Sequence, residues 1–79
     1  MATAKEIVYG AIAEALNVEE ATLTEDTNVS AGLGASSVDF VHIVGTIQDK
    51  TDLTVPFMPF RRNKTIGEMV EYIEELMEE

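Results

Sequence analysis

An all-α fold is predicted for this 79-residue chain: an antiparallel bundle of three main helices plus one short helix. Two stretches open on Thr-x-x-Glu and continue with apolar residues three and four positions apart. A third run of that kind follows a pair of serines. No segment alternates as a strand would, and nothing repeats.

The first helix is expected to start at Thr3, which forms a capping box with Glu6. Ile7, Val8, Ala11, Ile12, Ala15 and Leu16 then make one apolar face, and Asn17 is a stop. Residues 17–36 are rich in Thr, Asn, Asp, Ser and Gly and have no sustained period. They are expected to form a long ordered loop with Val18, Leu23, Val29 and Leu33 as anchors, and a loop of that length is often functional.

The second helix is expected from Ser37 to about Lys50. At about 100° per residue, Phe40, Val41, Ile43, Val44 and Ile47 cover one broad side. Asp39, His42, Thr46, Asp49 and Lys50 gather on the other, and Val38 falls beside them, exposed. Pro56 and Pro59 break the pattern, leaving room for one short helical turn. In the last helix Thr65 and Glu68 form a second capping box. Ile66, Met69, Val70, Ile73, Leu76 and Met77 fall within about 120°, with six glutamates outside that arc.

Fifteen acids against five bases give a net charge of −10. Such a surface repels nucleic acid and anionic lipid, and it attracts basic patches on other proteins. No segment approaches the roughly 18 apolar residues of a membrane span, and no secretion signal opens the chain. The two glycosylation triplets, Asn28-Val29-Ser30 and Asn63-Lys64-Thr65, are therefore read as chance. The absence of cysteine agrees with a reducing, cytoplasmic location, and it means that any thiol chemistry needs a thiol brought by a cofactor. Starting at Met1, with no linker at either end, residues 1–79 are read as a single domain standing alone, with an excised domain as the alternative, and a monomer is expected.

Catalysis has little support, since His42 is a lone histidine on a solvated helix face and no catalytic residue is assigned. No metal ligands are assigned either. The glutamates of the last helix spread around its face, and carboxylates so spread do not converge on an ion. Asp26, Asn28 and Ser30 match the first positions of an EF-hand loop. Ala31 stands where its turn glycine belongs and Ser37 where its bidentate glutamate belongs, so the match is rejected. Ser36 can cap the second helix with Asp39 three residues on. Ser37 is then the first helical residue, where the dipole favours a phosphoester, and Gly32 and Gly34 let the backbone before it bend sharply. On these grounds alone a modified Ser37 and a plain cap both remain open.

The stretch Leu33-Gly34-Ala35-Ser36-Ser37-Val38-Asp39 resembles the acyl carrier protein motif Leu-Gly-(small or apolar)-Asp-Ser-Leu-(Asp or Glu). The resemblance covers nearly the whole chain: "DLTVP" is similar to the family's exit from the second helix and "TIGEMVEYIEEL" to its last helix. It implies the family's four-helix bundle, and 4′-phosphopantetheine attached to the Ser37 hydroxyl from coenzyme A by a Mg²⁺-using phosphopantetheinyl transferase. The arm's thiol would carry acyl groups as thioesters in fatty-acid or polyketide-type biosynthesis, exchanged with acyl ligases or ketosynthases. Val38, Asp39 and His42 would then be partner contacts, as would Arg61 and Arg62.

Three departures are read as marks of a specialised carrier. Ser36 replaces the family's Asp, and His42, Gln48 and Lys50 stand where acids are common. Phe57, Met58, Phe60, Arg61 and Arg62 fill the short-helix region, where acidic and small residues are more typical. A peptidyl or aminoacyl carrier is a second reading within the family. The rival from another class is a small helical interaction domain, or a degenerate carrier, with no prosthetic group.

Overall fold

Each helix of the molecule begins or ends on a local hydrogen-bonding device that its sequence encodes. The computed structural model describes residues 2–78; Met1 and Glu79, the ends of the expected 1–79 domain, lie outside the described residues. Helix α1 is Ala4–Leu16, α2 is Ser37–Thr51, α3 is Phe57–Arg61 and α4 is Ile66–Glu78. The long loop also holds a 3-10 turn, Glu20–Thr22, which the sequence reading did not foresee.

Thr3 caps α1 as expected: its hydroxyl accepts the Glu6 N–H, and the Glu6 carboxylate accepts the Thr3 N–H. Asn17 ends α1 in the left-handed region, at φ 55°, a conformation that asparagine tolerates better than most residues. Asp52 ends α2 the same way, at φ 60°.

Helix α1 packs against α2 and α4, and α3 leans on α2. Val8, Ile12, Phe40, Ile43, Ile47, Phe60, Ile66, Met69 and Ile73 are fully buried between them. Burial of a side chain of this size contributes roughly 1.5–3 kcal/mol, so a handful of them decides whether so short a chain folds. Two residues assigned to apolar faces are instead exposed. Val41 is 60% accessible and Met77 43%. Val41 lies about 60° around α2 from Val38, at the edge of the apolar arc, beyond the strip that α1 covers. Met77 sits in the last turn of α4, on an open groove of about 330 Å³ shared with Ala2, Ile7 and Leu53.

The loop is held from within and from outside. Leu23 and Val29 are buried, and Val18 and Leu33 pack partly buried against the core. The backbone of residues 25–29 also pairs with the entry to α4. Val29 N–H donates to the Lys64 carbonyl at 3.1 Å, Ile66 N–H to Thr27 at 3.0 Å and Gly67 N–H to Glu25 at 2.9 Å. Asn28 closes the next turn: its side-chain oxygen accepts Ala31 N–H, and its carbonyl accepts both Gly32 N–H and Leu33 N–H.

A Cβ at Gly32 would stand 2.5 Å from the Asn28 carbonyl oxygen. Gly32→Ala is therefore expected to lower stability by about 1–3 kcal/mol, read as a lower urea midpoint. Glu68 generates a pH prediction. Its carboxylate accepts the Lys64 and Thr65 N–H groups, which hold its pKa below the ordinary 4.5. The folded chain thus binds this proton less readily than the unfolded chain. The stabilisation is complete at neutral pH and is lost as pH falls below about 4.5 and through the depressed value. In Glu68→Gln, urea midpoints measured against pH should lack that part of the acid decline.

Candidate functional site

The loop delivers its chain to α2 through a bend that only a few residue types accept. Gly34 has φ +69°, and Ala35, next along, is buried with its N–H on the Val29 carbonyl at 3.2 Å. The two serines that follow are thereby placed at the rim of the core, both exposed.

Ser36 is the N-cap. Its hydroxyl accepts the Asp39 N–H at 3.2 Å, and the Asp39 carboxylate accepts the Ser36 N–H at 2.9 Å and its hydroxyl at 3.1 Å. Each group satisfies a donor that a helix start leaves without an intrahelical partner. Asp39, expected to face a partner, is half-buried and occupied by this exchange.

Ser37 is the first residue of α2 and is free of capping duty. Its Oγ accepts a hydrogen bond from Arg61 Nη1 at 2.6 Å, across 24 residues of chain. The Arg61 guanidinium lies over the Phe40 ring, 5.2 Å from its centroid. Among the described residues no carboxylate pairs with Arg61. The sequence reading gave Arg61 as a departure and a partner contact; its direct hydrogen bond to Ser37 emerges only in the structure, because no spacing rule links a helix start to a turn so far along the chain.

The remaining expected site residues spread away from this pair. Val38 is 77% accessible, one turn of α2 from exposed Val41. His42 is exposed on the flank facing α1, with its Nε2 3.8 Å from Glu14 Oε1. Arg62 faces α4, on a groove lined by Glu68, Glu71 and Glu75. Phe60, one of the departures in the short-helix region, is fully buried and belongs to the core.

The chemistry of the pair follows from its partners. A nucleophilic serine needs a neighbouring base, and a guanidinium, protonated at any ordinary pH, cannot take its proton. Among the described residues Ser37 therefore has no base of its own to activate its hydroxyl. The surroundings fit a phosphate: a helix start, an unpaired cationic fork on the hydroxyl, and a preceding glycine with no atom within 4 Å of where its Cβ would be.

The family model described as "Phosphopantetheine attachment site" matches residues 6–73. An acyl carrier protein of Helicobacter pylori is 31% identical over 70 residues, which cover 89% of this chain and 90% of that one. An acyl carrier protein of Exiguobacterium sibiricum is 36% identical over 67 residues, 85% of each chain.

The division of labour between the serines is testable by denaturation. Ser36→Ala should cost about 1 kcal/mol through loss of the cap. Ser37→Ala, at an exposed position outside the capping exchange, should stay within about 0.5 kcal/mol of the unaltered chain.

Proposed function

The chain belongs to the phosphopantetheine attachment-site family, as an acyl carrier protein with a covalent 4′-phosphopantetheine, and from that premise we propose that Ser37 is the residue that takes the arm. One observation carries the assignment. Ser36 and Asp39 complete the cap by themselves, leaving the Ser37 hydroxyl exposed at the first position of α2.

In the attachment, Ser37 Oγ forms a bond to the pantetheine-side phosphorus of coenzyme A. The pyrophosphate P–O bond breaks, adenosine 3′,5′-bisphosphate leaves, and the serine proton passes to a base on the transferase. When bound, the arm supplies the terminal thiol, carrying acyl groups as thioesters, that a chain without cysteine lacks. Apart from the Ser37 Oγ–phosphorus bond, the chain's own residues make or break no bond in this reading. Ser36 and Asp39 fix the start of α2, and buried Ala35 fixes the chain before it.

In this reading residues 1–79 form one carrier domain that acts as a cytoplasmic monomer. Among the described residues no helix is long and apolar enough to cross a membrane. Its partners are a phosphopantetheinyl transferase and acyl-handling enzymes such as an acyl ligase or a ketosynthase. Val38, Asp39, His42, Arg61 and Arg62 are the proposed contacts, with Val38 the most accessible large apolar side chain among the described residues. Arg61, hydrogen-bonded to Ser37, and exposed Met58 on the same short helix α3 give that side of the protein a basic and apolar character. That character supports a specialised carrier in fatty-acid or polyketide-type biosynthesis.

Intact masses after incubation with coenzyme A, Mg²⁺ and a broad-specificity transferase test the assignment. The unaltered chain and Ser36→Ala should gain one phosphopantetheine, and Ser37→Ala none. No gain in the unaltered chain would sink the carrier reading and favour an unmodified interaction domain. A gain that survives Ser37→Ala and disappears in Ser36→Ala would move the site by one residue.

A further inference from the structure

We propose that Arg61 binds the phosphodiester at the root of the arm and so fixes the direction in which the arm leaves the protein. The inference rests on Ser37 being the attachment residue and concerns what happens there after attachment.

Three observations converge on Arg61. Its Nη1 already touches the oxygen to which the phosphorus would be bonded, at 2.6 Å. Esterification turns that hydroxyl oxygen into a bridging ester oxygen, a poorer acceptor. It also places two non-bridging oxygens, sharing one negative charge, on the adjoining atom. The guanidinium presents several donors in a rigid planar fork matched to such oxygens, so a small shift transfers the hydrogen bond from ester oxygen to phosphate.

Next, the fork is held in place before any phosphate arrives. It rests over the ring of Phe40, which is fully buried and cannot readily give way. Finally, the chain has fifteen acids, yet among the described residues none pairs with Arg61. The cation is therefore available to an anion from outside. Arg62, its neighbour, instead faces the glutamates of α4. The two arginines are not equivalent, and only the first is aimed at the hydroxyl.

With the phosphate held between α2's first turn and Arg61, the arm starts out on the side of α2 that faces α3. Exposed pairs of this kind contribute little to global stability, so spectroscopy is the more sensitive test.

The holo-protein is prepared with ¹⁵N-labelled chain, its single modification confirmed by mass, and its ³¹P resonance followed at low and at about 1 M salt, where the Debye length falls to about 3 Å. In the unaltered chain, attachment should shift the Arg61 Nε–H signal, and added salt should move the ³¹P resonance. Arg61→Gln should show a displaced ³¹P resonance with its salt response largely lost. Arg61→Lys, which keeps the charge without the fork, should fall between them. A modified chain whose ³¹P resonance is the same in the unaltered protein and in Arg61→Gln, and whose Arg61 Nε–H does not move on attachment, overturns the role of Arg61 and leaves the Ser37 assignment standing. The salt series and the Nε–H shift are read on the unaltered protein, so a poorly folded variant does not rescue the proposal. A chain that gains no mass removes both readings together.

Discussion

The reciprocal hydrogen bonding of Ser36 and Asp39 is the interaction on which the site depends. It satisfies donors at the head of α2 with side chains that lie outside the core, which fixes where the helix begins. Once that start is fixed, the phase of α2 is fixed too. Phe40, Ile43 and Ile47 turn inward, Val38 turns outward, and Ser37 is left at the first helical position with nothing to cap. A cap one residue later would rotate the apolar face by about 100° and place the second serine in the structural role. Adjacent serines are thus given different duties by one choice of register.

Most of the fold could be read from the sequence because its determinants are local. Capping boxes span four residues, and apolar faces recur within two turns, so Thr3 and Glu6, Ser36 and Asp39, and Thr65 and Glu68 were all legible. Val41 and Met77 were not. Periodicity says which way a side chain points, whereas burial also needs a neighbouring element to cover it. The pairing of residues 25–29 with the entry to α4, including the bridge between Asn28 and Thr65, was also invisible, because it joins two irregular segments through backbone groups that every residue carries. At the site, the place of Ser37 relative to the cap left modification and plain capping both open, and it was the motif resemblance that pointed to Ser37. Its contact with Arg61 required the packing of α3 on α2, which no spacing rule encodes.

Charge is distributed with a polarity that the net value hides. The chain is strongly acidic, yet three of its five basic residues, Arg61, Arg62 and Lys64, fall within four positions directly after α3 begins to close. The glutamates of α4 offset Arg62 and Lys64 in part, while Arg61 faces the head of α2. A partner approaching over α2 and α3 therefore meets a small positive region set in a negative field. Such a contrast fixes orientation more than affinity, since it penalises wrong approaches as much as it favours the right one.

The loop bound along the entry to α4 has a mechanical consequence. A group tethered at the head of α2 swings from a pivot that three backbone hydrogen bonds and two buried anchors prevent from wandering. The volume swept by its far end is then set by the tether's length and its direction of departure, with no contribution from a moving base. For any enzyme docked on the bundle, the effective concentration of the tethered end is correspondingly well defined. The loop of residues 17–36, about a quarter of the chain, would thus be the stator against which such a mobile group turns.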